Sequence, residues 1–377
     1  MLETYLQDLA EVVNLDCGSA NCEGVTKVAN TMKRHFDSIG FATELVDLGP
    51  KAGKGLFATN KPGAEKFDIM FNAHLDTVFP DGTAAARPFK AEDGKVTGPG
   101  CADCKAGVIA IFHALKNARK EDLDRLAIAV CYNPDEEISS LSSREWLQQM
   151  ASKCKRAIVC EPGRATGAFV RSRKGRSVWN VVVHGVAAHA GNNPQDGRNA
   201  ITAMALAIPE IQAVAKKYPG VTINGDLVSG GTAVNTIAAE AEVTFDLRFA
   251  DNASRDAVLA DIEALCRRGF LEGVRAEMVP PGASGAMAET DASRALMALV
   301  DGAAESLGQP APKWLTVGGA SDGNLFAEYG AGVVCAMGVV GSKLHDPEKE
   351  WSDLRTARDR VLLAQATLLR MAAPRRN

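Results

Sequence analysis

The order of apolar runs in this 377-residue chain predicts an α/β protein on a mostly parallel sheet, with a smaller α+β unit inserted into it. Three observations carry the prediction. Short continuous apolar runs at 67–73, 126–133 and 157–160 alternate with helical periodicity, the pattern of strands buried on both faces between crossover helices. After about residue 174 the strands turn partly alternating, as when one face meets solvent. After about 283 the α/β texture returns, so the second unit interrupts the first. A length well beyond the ~100–200 residues of one domain agrees with this division. The expected boundaries are 1–174 and 283–377 for the main domain and 175–282 for the insertion.

Taken in order, residues 2–14 and 24–38 repeat Leu, Val and Phe at three- and four-residue spacing and read as helices. Strands follow at 42–47, 55–59 and 67–73. The stretch 80–100, PDGTAAARPFKAEDGKVTGPG, is rich in Gly, Pro and Asp and reads as a loop. Helix 105–119, strand 126–133, helix 141–151 and strand 157–160 continue the β/α alternation. The insertion reads as strand 177–185, helix 196–217, strands 221–228 and 240–249, helix 253–267 and strand 273–279. That order, βαββαβ, is that of a small α+β sandwich. PPGASG at 280–285 reads as a linker, and helix 290–306, strand 333–337 and helix 353–372 close the chain.

Composition narrows the function. Hydrophobic residues at 46% and charged residues at 23% describe an ordinary globular protein. A net charge of −4 leaves no basic surplus for nucleic acid. No apolar run approaches the roughly 20 residues that span a bilayer, and the acidic, amphipathic N-terminus lacks a signal pattern. Nine cysteines, an odd number without a framework, point to free thiols and a cytoplasmic location.

The chemistry gathers where apolar strands stop. FNAHLDTVF (71–79) delivers His74 at a strand end with Asp76 two residues on. A carboxylate beside a ligating histidine fixes its tautomer and raises its basicity, although the pair taken alone reads equally as satisfied strand-end polar groups. GPGCADCKAG (98–107) places Asp103 in a glycine-rich loop before a helix. NPDEEIS (133–139) sets Glu136 and Glu137 directly after a strand, VCEPG (159–163) ends another in Glu161, and GSKLHDPEKEW (341–351) carries His345 in a loop. Two histidines with several carboxylates suit zinc, and two ions can share one bridging carboxylate. Of an adjacent Glu pair, one can bind metal while the other takes a proton from water. Cys101 and Cys104 have C-x-x-C spacing but no second such pair, so neither a thiolate metal site nor a redox pair is the expectation.

These motifs in this order, H-L-D-T-V-F, G-P-G-x-x-D-x-K-x-G, D-E-E, C-E-P and a late G-x-x-x-H, resemble the co-catalytic zinc aminoacylase and carboxypeptidase family. It includes glutamate carboxypeptidase, acetylornithine deacetylase, succinyl-diaminopimelate desuccinylase and peptidase T. The resemblance spans nearly the whole chain. It implies a zinc-peptidase catalytic domain with an inserted lid that also dimerises. It implies His74 and Glu161 on one zinc, Glu137 and His345 on the other, and Asp103 bridging, with cobalt or manganese as substitute metals. Asp76 would orient His74 and Glu136 would be the general base. In the insertion, GVAAHAG (185–191) resembles the lid motif whose histidine stabilises the oxyanion in a partner's site, which singles out His189. Asn235 in GGTAVNTI and Gly319 in the GGASDG loop resemble substrate contacts, and Arg248 in FDLRF resembles the arginine that grips a substrate carboxylate. Lys105-Ala106-Gly107 stands where the family usually has Lys-Gly-Gly. His35, His113 and His184 receive no role.

The expected activity is hydrolysis of an amide bond beside a free carboxylate in a small peptide or N-acyl amino acid. A carboxypeptidase of the glutamate-releasing branch comes first, then an N-acyl amino acid deacylase, then an aminopeptidase or tripeptidase. The contrasting class is an inactive binding homologue, against which stand competent residues at every site position. A homodimer through the inserted domain, and neither nucleic acid nor membrane as partner, complete the reading.

Overall fold

The computed structural model describes residues 1–279 and 282–373; Pro280 and Pro281 of the expected linker lie outside them. The chain divides into two units, one of 1–172, 289–317 and 321–377, the other of 173–288 with 318–320.

The first unit is organised on a six-stranded sheet in the order Ala42–Val46, Gly55–Thr59, Ile128–Asn133, Ile69–His74, Arg156–Val159 and Gly332–Val334. The last four run parallel; Gly55–Thr59 joins the Ile128–Asn133 strand antiparallel, and Ala42–Val46 joins Gly55–Thr59 antiparallel at the edge. Both central strands are buried at every position, as strands covered on two faces must be. The register decides where chemistry can sit. His74 pairs with Asn133 and Asn72 with Val159, so three parallel strands end together and their following residues emerge at one sheet edge. Open α/β sheets bind ligands in that crevice.

Helices follow local rules. Asn21 caps Cys22–Ser38 by accepting the Gly24 N–H, and Thr290 forms a capping box with Ser293 at the start of Asp291–Ser306. The helix Lys105–Lys116 is buried along all but its last residue. Gly107 is needed there, because a Cβ at that position would fall 2.0 Å from the Cys160 carbonyl oxygen. Ala106, where the resemblance leads one to expect glycine, is accommodated in the core.

The second unit has the order strand Gly175–His184, helix Ala200–Val214, strands Thr222–Gly230 and Glu240–Phe249, helix Asn252–Arg268 and strand Arg275–Met278. Its sheet is antiparallel throughout, and the two long central strands alternate buried and half-buried residues. Trp179, Val181, Phe245 and Leu247 form its core with Met204, Ile211 and Ile262 of the helices. The edge strand Thr222–Gly230 leaves Leu227 and Val228 about two-thirds exposed.

Several segments differ from expectation. The 80–100 loop contains a helical turn, Thr83–Ala86, and a hairpin of Lys90–Glu92 with Lys95–Thr97, turned by Asp93 and Gly94 at positive φ. This hairpin extends into a small sheet with Trp351–Asp353 and Gly341–Ser342. Part of the expected linker, Gly282–Ser284, is a strand paired with Gly175–His184. The expected 333–337 strand ends at Val334. Among the described residues, no helix is long and apolar enough to cross a membrane.

Candidate active site

The strand Ile69–His74 carries His74 to the shared sheet edge, fully enclosed. Its Nδ1 lies 3.0 Å from the Asp76 carbonyl oxygen and 3.3 Å from Asp76 Oδ1, and its Nε2 lies 3.0 Å from Asp103 Oδ1, so both ring nitrogens face oxygen acceptors. Burial works against a proton on His74, yet its acidic neighbours outweigh burial and hold its pKa well above the ordinary value. Asp76 accepts from the Ser19 hydroxyl (2.6 Å) and from the backbone N–H groups of Glu136 (3.1 Å) and Glu137 (3.2 Å). One buried carboxylate thereby fixes both the histidine and the turn that bears the two glutamates.

Asp103 presents its second oxygen, Oδ2, to His345 Nε2 at 3.4 Å, and His345 Nε2 is 3.3 Å from Glu137 Oε2. The two carboxylate oxygens of Asp103 thus face two different histidines. Burial would raise the Asp103 pKa, but hydrogen bonds from His345 and His74 drive it far below the usual carboxylate range. His345 sits half-exposed at positive φ, as does Lys343, an uncommon backbone state that clusters at functional loops.

The donors form two groups whose ligand atoms lie within 4.8 Å of one another: His74, Asp103 and Cys104; and Asp103, Glu137 and His345. Glu137 Oε1 is buried without a hydrogen-bond partner among the described residues. Such an orphan is costly unless something binds it. With mixed nitrogen and oxygen donors, this arrangement fits a divalent cation. Glu161 is buried, two residues beyond the Arg156–Val159 strand, and falls outside both groups; Cys104 takes the third place beside His74 and Asp103. The Glu161 charge still reaches Glu136 and Cys104. The Cys104 Sγ donates to the Cys160 carbonyl at 3.1 Å, and burial pushes its thiol up to about 12.

Glu136 follows the Ile128–Asn133 strand in a single 3-10 turn, Glu136–Ile138. Burial first, and then the charge of Glu161, raise its pKa well above the ordinary value, while burial lifts Glu137 to about 7. A carboxyl that holds a proton near neutrality is suited to acid–base work.

Sequence reasoning missed the supports. The Glu350 carboxylate, fully enclosed, accepts from the N–H groups of Gly100, Ala102 and Asp103, each at 2.9 Å, and so shapes the Asp103 loop. The Lys105 ammonium, also buried, donates to the carbonyls of Leu15 and Pro99. Asp322 accepts from Asn133 Nδ2 (2.7 Å) and Ser140 Oγ (2.5 Å), bracing the turn of Glu136 from its other side. Ser19 lies far from the ligands in sequence, and Glu350, although only five residues after His345, is about 250 residues from the loop that it holds.

In the second unit His189 is exposed, and its Nδ1 accepts from the N–H groups of Gly191 and Asn192, both at 3.1 Å. The proton of the neutral ring is therefore on Nε2. Asn235 is a neighbour, its carbonyl accepting the Ala190 N–H. Arg248 clasps Asp246 through Nε (2.6 Å) and Nη2 (3.2 Å), and Asp246 also receives Arg176. Gly319 accepts from Arg173 Nη1 through its carbonyl, with open space where a Cβ would stand.

A buried α/β sheet ending in paired histidines and carboxylates defines a metal-dependent hydrolase. The chain belongs to peptidase family M20/M25/M40, whose model matches residues 70–370. It is similar to carboxypeptidase G2 of Pseudomonas sp. (strain RS-16), 25% identical over 98% of this chain and 89% of that protein. It is also similar to acetylornithine deacetylase of Pasteurella multocida, 32% identical over 56% of this chain and 58% of that one. Its fold matches that of aminopeptidase PepT from Bacillus cereus, with a TM-score of 0.78, 22% identity and 99% of each chain covered. Enzymes of this family are hydrolytic and metal-dependent, and so the chain is a hydrolase of the metallopeptidase and amidohydrolase class.

Proposed function

We propose that the chain is a dinuclear metal carboxypeptidase that releases a C-terminal amino acid, glutamate first, from a small peptide or related amide. The observation that carries the hydrolytic part is the approach of His74 and His345 to opposite oxygens of Asp103, with a Glu137 oxygen beside them that has no partner among the described residues. The carboxypeptidase part is supported by near end-to-end similarity to carboxypeptidase G2. Two zinc ions, or cobalt or manganese in their place, suit these donors: His74 and Glu161 for one, Glu137 and His345 for the other, Asp103 shared. When bound, such ions polarise a carbonyl and lower the pKa of an attacking water.

Glu136 takes the proton from the attacking water and returns it to the leaving amine nitrogen; its raised proton affinity suits both steps. Asp76 keeps His74 Nε2 turned toward the site. His189, with its Nε2 proton, donates to the oxyanion in the site of the other protomer of a homodimer. The exposed Leu227 and Val228 on the edge strand of the inserted unit favour dimerisation there. Arg248 offers a planar fork to the substrate carboxylate, with Asn235 and the Gly319 loop as further contacts. Nine cysteines outside any disulfide favour the cytoplasm.

The test is release from matched panels of γ- and α-glutamyl dipeptides, tripeptides and N-acyl amino acids, with chelated controls. Chelator-sensitive release of C-terminal glutamate is the expected result. Preference for acetyl or succinyl substrates would move the chain to the deacylases, a reading favoured by its similarity to acetylornithine deacetylase. Cleavage of tripeptides from the amino end would make it an aminopeptidase. Glu136→Ala should abolish turnover, by about a thousandfold or more if the general base contributes at the upper end of its usual range, and leave metal content unchanged. No turnover by the metal-loaded protein on any panel would mark an inactive binding homologue.

A further inference from the structure

A cavity of about 330 Å³ lies in the first unit, lined by none of the metal-donor residues. Its walls come from the 166–169 turn, the 309–313 segment and the final helix Leu354–Ala372. Phe169, Pro310, Pro312 and Leu363 make it largely apolar, and Arg360 and Lys313 make two of its residues cationic against a single acid, Asp359, which is exposed. The volume is at the small end of the range for ligand sites, ~300–1,000 Å³.

Arg360 is the anomaly. It is 6% exposed and, among the described residues, makes no direct ion pair, although the charge of the neighbouring Asp359 reaches it. Its Nη2 donates to the Gly167 carbonyl at 2.9 Å, and Nη1 is enclosed without a partner among the described residues. The guanidinium otherwise rests on the face of Phe169, 4.0 Å from the ring centroid. Burial lowers its pKa only to about 10, so it remains a cation at neutral pH. A buried charge with no direct ion pair and an idle donor group is destabilising unless a counter-ion arrives.

The geometry points to this cavity as a binding site for a small organic carboxylate, its head on the Arg360 fork and its apolar body against Phe169, the prolines and Leu363. A planar guanidinium matches a carboxylate in two parallel hydrogen bonds, and the apolar walls prefer an aliphatic acid to an inorganic anion. Lys313, exposed at the wall, adds attraction at the entrance.

The test is calorimetric titration of the full chain, metal-loaded and metal-free, with acetate, butyrate and glutarate, and with phosphate and sulfate as comparison. Trp314 provides a second signal, since its ring is 5.3 Å from Phe169. The expected result is saturable binding of aliphatic carboxylates, unchanged by metal removal, with a change in Trp314 fluorescence that disappears in Trp314→Phe. Arg360→Met should abolish that binding while keeping the melting temperature equal or higher, because it removes a buried charge with no direct ion pair. Lys313→Glu, a surface change, should weaken binding by about two- to fivefold. The inference is overturned if the wild-type chain shows no saturation in the millimolar range, if Arg360→Met binds as tightly as the wild type, or if sulfate or phosphate binds more tightly than the carboxylates.

Discussion

The two units hold their candidate functional side chains in opposite ways. Around His74 and Asp103, each group is fixed by a second buried group: Asp76 by Ser19 and two backbone N–H groups, the Asp103 loop by Glu350 and Lys105, the Glu136 turn by Asp322. In the inserted unit, His189 is exposed and held by the turn that immediately follows it, and Arg248 by a carboxylate two residues away. A donor cluster that gathers like charges needs a rigid frame, because each carboxylate would otherwise move away from its neighbours or take up a proton. Groups that meet a substrate from a solvated surface need only local orientation. The contrast predicts that support mutations in the first unit disturb the donors at a distance, whereas mutations in the second act where they are made.

The largest effect should come from Glu350→Ala, which strands three backbone donors at about 1–3 kcal/mol each. Metal affinity is expected to fall by about 10–100-fold, the usual scale for lost support, together with a clear drop in melting temperature. A chelator competition series and a melting curve measure both, and unchanged metal affinity would break the comparison. Next in size is a pH effect on metal uptake. His345 is raised to about 9, chiefly by its hydrogen bond to Asp103, and Glu137 to about 7 by burial. In the proposed site both must lose their protons before a metal binds, so apparent affinity should rise with pH through this window, by about tenfold per unit for each proton released, and level off above about 9. Proton release measured in buffers of different ionisation enthalpy tests the sign. The smallest effect belongs to the inserted unit. Arg248→Lys should lower kcat/KM by about tenfold through the lost fork, with stability within about 0.5 kcal/mol of wild type. A destabilisation comparable to that of Glu350→Ala would show that the two units do not differ as described.

Much of the fold could be read in advance because burial on both faces leaves unbroken apolar runs, as in 126–133, and these runs end at the residues that gather in the site. His74, Asp103, Glu137 and His345 could be found for the same reason: each follows an apolar strand or borders a glycine-rich loop. The Lys90–Thr97 hairpin was hidden by its exposure, since nothing apolar marks its outer strand, although Asp93-Gly94 is a hairpin turn signal. Ser19 gave no signal, and Glu350, five residues after His345, gave none of the loop that it holds. Their partners are about 57 and 250 residues away in the chain, and hydrogen bonds over such separations leave no trace in local composition. Glu161 and Cys104 show the finer limit. Motif order marks the glutamate, while side-chain geometry sets the cysteine nearer to His74 and Asp103.

Of the nine cysteines, eight are buried and only Cys22, at the first turn of its helix, is partly open to solvent. Toward an alkylating reagent the folded chain therefore behaves as though it had one thiol. Single-site labelling at Cys22, on the helix Cys22–Ser38, needs no engineered cysteine-free background. The same arithmetic makes thiol counting a sensitive gauge of unfolding, since the reactive number climbs from one to nine as the core opens.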